Sequence, residues 1–278
     1  MKAKLLTSLT ALLALAGSAS ATDLGVRRPV YKAPVVLCTW CGFYAGVNAG
    51  GVWGREDINF IPTGQFVQDP NGALLAGVGS PNNTKTSFTG GGQIGVNSQW
   101  LNWVVGLEQD IEYLGLNTSQ NVGVVGLAPI VGANPTRFVF QDNIDSRWLA
   151  TTRLRLGYGI NNLLLYGTAG IAFGQQNYSQ TIAATTVLPA VPANLTFNTA
   201  AVPSSNRITG GFAGGAGAEW KFAPNLSGRL EYLYIDLDKS GDALAAQSPP
   251  FNGFTSTSHS HVRASILRAG VNYQFVGL

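Results

Sequence analysis

Residues 42–54 read GFYAGVNAGGVWG. Tyr44, Gly46, Asn48 and Gly50 share one parity and are polar or tiny, while Phe43, Ala45, Val47 and Ala49 share the other and are apolar. Successive side chains of an extended chain point to opposite faces, so this alternation predicts a strand with one oily face. At about twelve residues it is long enough to cross a bilayer at a tilt. Alone it would leave N–H and C=O groups unpaired in hydrocarbon, so the rest of the chain must supply partner strands and close the sheet.

Composition points the same way. Of 278 residues, 35 are glycine and only 11% are charged, against about 25% in an ordinary soluble domain. A soluble sandwich or lipocalin-like barrel needs a charged exterior that this chain cannot coat. Beyond the N-terminus no run of about 18 apolar residues offers a spanning helix. The expected class is all-β. The formal charge of +3 falls to +1 if a segment carrying Lys2 and Lys4 is removed, which gives no argument for a nucleic-acid partner.

That segment, residues 1–21, has Lys2 and Lys4, an apolar stretch over 5–16, and Ala19-Ser20-Ala21. A charged start, a short apolar core and an A-x-A site read as a secretory signal peptide. Residues 22–41 then read as a periplasmic lead-in, with Pro29 and Pro34 against regular structure. Cys38 and Cys41 form C-x-x-C just before the first strand. A redox dithiol or half a metal site lacks the following helix or a second Cys/His pair. A local disulfide made in an oxidising periplasm, or two idle thiols, remains.

Seven further stretches alternate in the same way: 86–99, 102–113, 146–159, 162–177, 207–222, 225–238 and 261–275. With 42–53 they predict an eight-stranded antiparallel up-and-down transmembrane β-barrel over 42–278. Strands of this length rise roughly 30 to 35 Å, which clears an apolar band of about 25 Å. Tight turns at 100–101, 160–161 and 223–224 alternate with connections of roughly 20 to 32 residues at 54–85, 114–145, 178–206 and 239–260. Short periplasmic turns against long outer loops are the asymmetry of outer-membrane barrels. Aromatics including Phe43, Tyr44, Trp53, Trp100, Trp103, Tyr113, Trp148, Tyr158, Trp220, Phe222, Tyr273 and Phe275 mark the strand ends, as interfacial girdles require.

Parity also assigns a lumen. Glu108, Asp110 and Glu112 share a face, as do Arg153 and Arg155, Arg229 and Glu231, and Arg268 with Asn272 and Gln274. A charge facing lipid at the midplane costs roughly 2–4 kcal/mol, so these must point inward, where opposite signs meet. The expected network is Glu108, Asp110, Glu112 and Glu231 with Arg153, Arg155, Arg229 and Arg268. Leu233, Ile235 and Leu237 continue the charged row, which suggests a bulge or the strand's exit from the membrane. Eight strands leave an interior just wide enough for side chains, which argues against a wide pore.

His259-Ser260-His261 places two histidines on one face of the last strand, a conceivable haem or metal contact or, with Ser260, a lipid-modifying site. A loop rich in Ser, Thr and Asn supplies such residues by composition alone, so no metal, cofactor or catalytic residue is assigned. The outer segments are apolar: 74–78 reads LLAGV, 122–131 reads VGVVGLAPIV, and 185–194 is rich in Val, Ala and Pro. They either pack on one another and extend the strands as hairpins, or form a contact surface for another protein or lipopolysaccharide.

Trp40 to Gly54, read as W-x-G-F-Y-x-G-V-N-A-G-x-x-W-G, resembles the opening strand of the small porin-like outer-membrane β-barrel proteins of alphaproteobacteria, relatives of the OmpA-type barrel and opacity-like proteins. GGGQIGVN at 90–97, GLEQD at 106–110, EYLY at 231–234 and GVNYQF at 270–275 are similar to that family too. The resemblance implies an outer-membrane surface protein with a structural or surface-interaction role, no catalytic residues, and haem binding in some relatives. A narrow porin for small polar solutes is the alternative, and a haemin-binding surface protein a lesser one. The implied partners are outer-membrane lipid and lipopolysaccharide, the barrel-insertion machinery through the last strand, and a surface partner at the outer loops. One departure is that Phe275 is followed by Val276-Gly277-Leu278, where the family usually ends on the aromatic.

Overall fold

A computed structural model describes residues 38–64, 67, 71–78, 80, 82–125, 136–186, 195–198, 205–245 and 254–275. The signal-peptide reading, the first part of the lead-in and residues 276–278 lie outside these. The described strands are β1 (Gly42–Gly64), β2 (Asn82–Trp100), β3 (Trp103–Val125), β4 (Thr136–Ile160), β5 (Leu163–Thr186), β6 (Leu195–Asn198), β7 (Ser205–Ala223), β8 (Leu226–Ala245) and β9 (Phe254–Gln274). Every neighbour pairs antiparallel. β1 pairs with β9 from Tyr44 against Gln274 up to Gly64 against Phe254, and β4 pairs with β5, which closes a barrel of eight strands. The four-residue β6 adds only a flap on the C-terminal end of β5. Closure pairs each long strand on both sides through the apolar band, which hydrocarbon demands.

The alternation of the opening strand decides which face is wet with lipid. Val47 is 68% exposed and its neighbour Asn48 only 7%. The exposed row continues as Ile94, Val96, Leu154, Leu156, Leu165, Ile171, Leu230, Leu267 and Val271. Exposed aromatics rim it, with Trp103 edge-on to Tyr158 at 5.4 Å and Tyr273 edge-on to Phe275 at 5.1 Å. Tyr44 departs from the girdle assignment. It shares the parity of Asn48, is buried, and points into the lumen.

The three short connections are two residues each, at 101–102, 161–162 and 224–225, one position later than the sequence suggested. Leu101 and Asn161 take φ of 54° and 53°, the left-handed region that primed hairpin turns use at their first central residue. Asn suits that region and Leu does not. Two of the turns are tied to the neighbouring strand at the rim: Gly159 N–H of β4 donates to the Asn102 carbonyl at 2.7 Å, and Lys221 N–H of β7 to that of Asn162 at 2.9 Å.

The outer connections differ most from expectation. Much of what reads as loop is strand: β3 and β4 stay paired out to Val125 and Arg137, and β1 and β9 to Gly64 and Phe254. The apolar LLAGV belongs to a short helix, α1 (Asn71–Val78), whose residues lie against β1. Ser80 just beyond it bonds the Ala76 carbonyl at 2.7 Å and accepts the Phe60 N–H at 3.0 Å. No described helix is long and apolar enough to cross a membrane. Residues 126–131 and 187–194 of the other apolar segments lie outside the described residues.

No bulge interrupts β8 from Leu233 to Leu237. β8 runs in unbroken register against β9 from Leu226 to Leu237, and the first irregularity falls between Leu237 and Ser240. All three leucine and isoleucine side chains point inward because the lumen itself turns apolar above the charges.

Candidate functional site

The lumen is filled in three layers. At the end of the barrel that carries the short turns, Trp40, Val104, Leu164 and Tyr166 form an apolar floor. Towards the end that carries the long hairpins, Val52, Leu114, Leu116, Leu149, Leu233, Ile235, Leu237, Val262, Ala264 and Ile266 pack together. Between them lies the charge. This order follows from stepping two residues at a time: β3 gives Val104, Gly106, Glu108, Asp110, Glu112, Leu114 and Leu116 on one face, and β9 gives Arg268, Ile266, Ala264 and Val262.

The charged layer brings together all eight residues that parity assigned, each buried. Arg153 is its centre. Its guanidinium reaches Glu108 at 2.6 Å, Asp110 at 2.5 Å and Glu231 at 3.0 Å, and also donates to Thr151 and Thr168 at 3.0 Å each. Arg268 binds Glu231 at 2.6 Å, Asp110 at 3.0 Å, and Glu112. Arg229 holds Glu108 at 2.6 Å and Glu231 at 3.2 Å. Arg is suited to this place because a planar fork with five donors can serve several carboxylates at once.

Two parts of the network were not read from the sequence. Glu219 on β7 pairs with Arg155 and also accepts from Ser227 and, at 2.9 Å, from Asn272. Glu219 and Lys221 alternate with the lipid-facing Trp220 and Phe222, so the parity rule that found the other charges would have found these. The tyrosines are the second part. Arg155 stacks on the Tyr166 ring at 3.7 Å, and Tyr44 donates its hydroxyl to Glu108 at 2.6 Å. A girdle and a lumen position both suit Tyr, so residue type alone did not separate them. A polar chain of Asn48, Gln93 and Asn272, bonded at 2.8 and 2.7 Å, fills the side of the layer nearest β1.

The histidines do not join this layer. His259 and His261 share the parity of the lipid-facing Leu267, so they lie on the outside of β9, above the apolar band. His261 Nε2 lies 2.6 Å from Asp236, and its Nδ1 is 3.4 Å from an Arg263 nitrogen. Arg263 in turn holds Asp57 at 2.8 Å, and Asp57 pairs with Arg55 at 3.1 Å. Both ring nitrogens of His261 are thus engaged within an outward ionic row across β8, β9 and β1. Cys38 and Cys41 are joined by a disulfide at the mouth on the short-turn side.

Chemically, the charged layer neutralises itself. It holds carboxylates, guanidiniums and hydroxyls with almost no exposure, and each carboxylate is paired with a guanidinium. It binds the strands to one another across the barrel.

Comparison with known proteins finds relatives in the outer membrane. The chain is 31% identical over 280 residues to a 31 kDa outer-membrane immunogenic protein of Brucella melitensis, covering 99% of this chain and 100% of that one. It is 28% identical over 172 residues to a 22 kDa outer membrane protein of Rhizobium leguminosarum bv. viciae, covering 59% of this chain and 63% of that one. These names denote outer-membrane proteins and no enzyme. Among solved structures, the outer membrane protein OprG from Pseudomonas aeruginosa aligns with a TM-score of 0.37 and 14% identity, covering 84% of this chain and 98% of that one. Residues 8–275 match the family described as the outer membrane protein beta-barrel domain. The chain therefore belongs to that family and is an integral β-barrel protein of the outer membrane.

Proposed function

We propose that the protein is a closed, non-enzymatic barrel that anchors in the outer membrane and presents its outer hairpins at the cell surface. The observation that carries this reading is the filled lumen. Arg153, Glu108, Glu231 and Arg268 are at most 1% exposed, an apolar layer lies above them and Trp40 lies below. A solute would have to displace an ion-paired layer and two apolar ones. Breaking a buried pair costs about 3–5 kcal/mol, and this layer holds several. The Brucella relatives are named immunogenic, which suits hairpins that stand above the membrane. Lipopolysaccharide is the natural neighbour of the outward row Arg55, Asp57, Arg263 and His261. The insertion machinery would meet β9, and a surface partner the outer hairpins. Haemin binding has less support, because His261 already spends both ring nitrogens.

Single-channel recording of refolded protein in planar bilayers, with liposome swelling in sugars of graded size, tests the proposal. The expected result is no steady open level and no swelling. Steady openings in the wild type, altered by Glu108→Ala or Arg155→Ala, would establish the narrow porin instead.

A further inference from the structure

We infer that the disulfide-closed turn Cys38–Cys41 is a redox latch on the periplasmic mouth, holding Trp40 inside the barrel and Lys221 under cover. The inference extends the closed-barrel reading to one end, and its test is independent of conductance. Trp40 is 2% exposed and packs with Val104, Leu164 and Tyr166. Gly159 faces it so closely that an added Cβ would sit 3.2 Å from the indole Cδ1. The turn is anchored on three strands, and each anchor is made to its backbone. Gln99 of β2 accepts the Trp40 N–H at 2.9 Å, Lys221 of β7 donates to the Thr39 carbonyl, and Gln274 of β9 donates to the Cys41 carbonyl. The Lys221 ammonium also lies 5.2 Å from the Trp40 ring centre.

Backbone anchors depend on the turn keeping its shape. The disulfide fixes that shape by closing the four-residue loop, because a crosslink removes the open conformations the chain would otherwise sample. Gly42 then turns the chain into β1 at φ 106°, a conformation that favours glycine. The bond is also reachable. Cys38 and Cys41 are only half-buried, and Cys38, Thr39, Asn162, Lys221, Pro224 and Gln274 line a cavity of about 430 Å³ beside it. A dithiol reductant entering there would attack one sulfur and resolve the mixed disulfide with its second thiol. Two electrons and two protons pass to the cysteines, and the reductant leaves as a disulfide. With both thiols free, the anchors loosen, Trp40 leaves the floor, and Lys221 meets water. The charged and outer apolar layers stay in place.

The test uses refolded full-length protein with and without dithiothreitol. Free thiols are counted by alkylation, and lysines are labelled with a water-soluble acetylating ester and quantified by mass spectrometry. Lys221, 8% exposed in the oxidised protein, should label at least tenfold faster once the thiols are free. The exposed Lys85 on the outer part of β2 should not change. The variant Cys38→Ser/Cys41→Ser should label Lys221 at the reduced rate without reductant. Protection of Lys221 that persists in this variant, or with both thiols shown free, overturns the latch. So does a bond that dithiothreitol fails to reduce in the folded barrel.

Discussion

Replacing Arg153 with methionine removes the cation at the centre of the charged layer and keeps most of its volume. Three carboxylates, on Glu108, Asp110 and Glu231, lose a partner held at 2.5 to 3.0 Å. Arg268 and Arg229 still serve all three. The deficit is therefore one uncompensated negative charge and not three. Removing one partner of a buried pair costs about 3–5 kcal/mol. A second route gives a similar ceiling. A stranded carboxyl can take up a proton instead, and from an ordinary glutamate value near 4.3 this costs at most about 3.7 kcal/mol at pH 7. The two figures agree, so the expected loss is about 3–4 kcal/mol at pH 7. The sign of its pH dependence follows. The folded variant holds one proton more than its unfolded chain between about pH 4.3 and 7, so its deficit shrinks as pH falls, by about 1.4 kcal/mol per unit. Equilibrium urea unfolding in liposomes or micelles, read by heat-modifiable gel mobility at pH 7 and pH 5, measures both quantities. A loss under 1 kcal/mol at pH 7, or one that does not shrink at pH 5, would refute the reasoning. The first result would mean that water already solvates the layer, and the second that no carboxylate is left stranded.

Two further perturbations probe the two faces of the sheet. A Cβ on Gly170 would run into the Thr152 carbonyl and lie 2.7 Å from Arg153 Cα, whereas on Gly92 the nearest atom is 3.6 Å away. Gly170→Ala should therefore reduce the yield of compact, heat-modifiable barrel while Gly92→Ala refolds like the wild type, and equal yields would contradict the inward crowding. Val47→Arg places a cation on the lipid face midway along the membrane part of β1 and should lower stability by about 2–4 kcal/mol. Arg55→Ala, at the level of the outward ionic row, should change it by less than 1 kcal/mol, since exposed pairs contribute little.

Period-two alternation is a local property, so it can be read one strand at a time. That is why eight strands, the pairing of β1 with β9, the turn and loop sides, and the face carrying Glu108, Asp110, Glu112, Arg153, Arg155, Arg229, Glu231 and Arg268 are all legible from the chain alone. The energetic rule behind it is simple: charge cannot face hydrocarbon and backbone cannot go unpaired there. The same rule covers Glu219 and Lys221. Where it misled, it was pressed past its reach. Leu233, Ile235 and Leu237 read as a bulge or as the strand's exit from the membrane only while an inward face is equated with a polar one. Packing a narrow lumen needs only that side chains fill it, and above the charged layer apolar ones do.

What the tertiary structure decided is who meets whom across the barrel. Arg153 and Glu231 are 78 positions apart, and Arg268 and Glu112 are 156 apart. Their meeting depends on the stagger accumulated over every strand between them, which no single strand encodes. Trp40 is the same case. Its sequence neighbourhood is a short cysteine-bracketed turn, and only the mouth formed by β2, β3, β4, β5, β7 and β9 makes that turn a floor. Sequence determined which side chains had to leave the lipid. Closure of the barrel determined their partners, because register is a property of the whole ring.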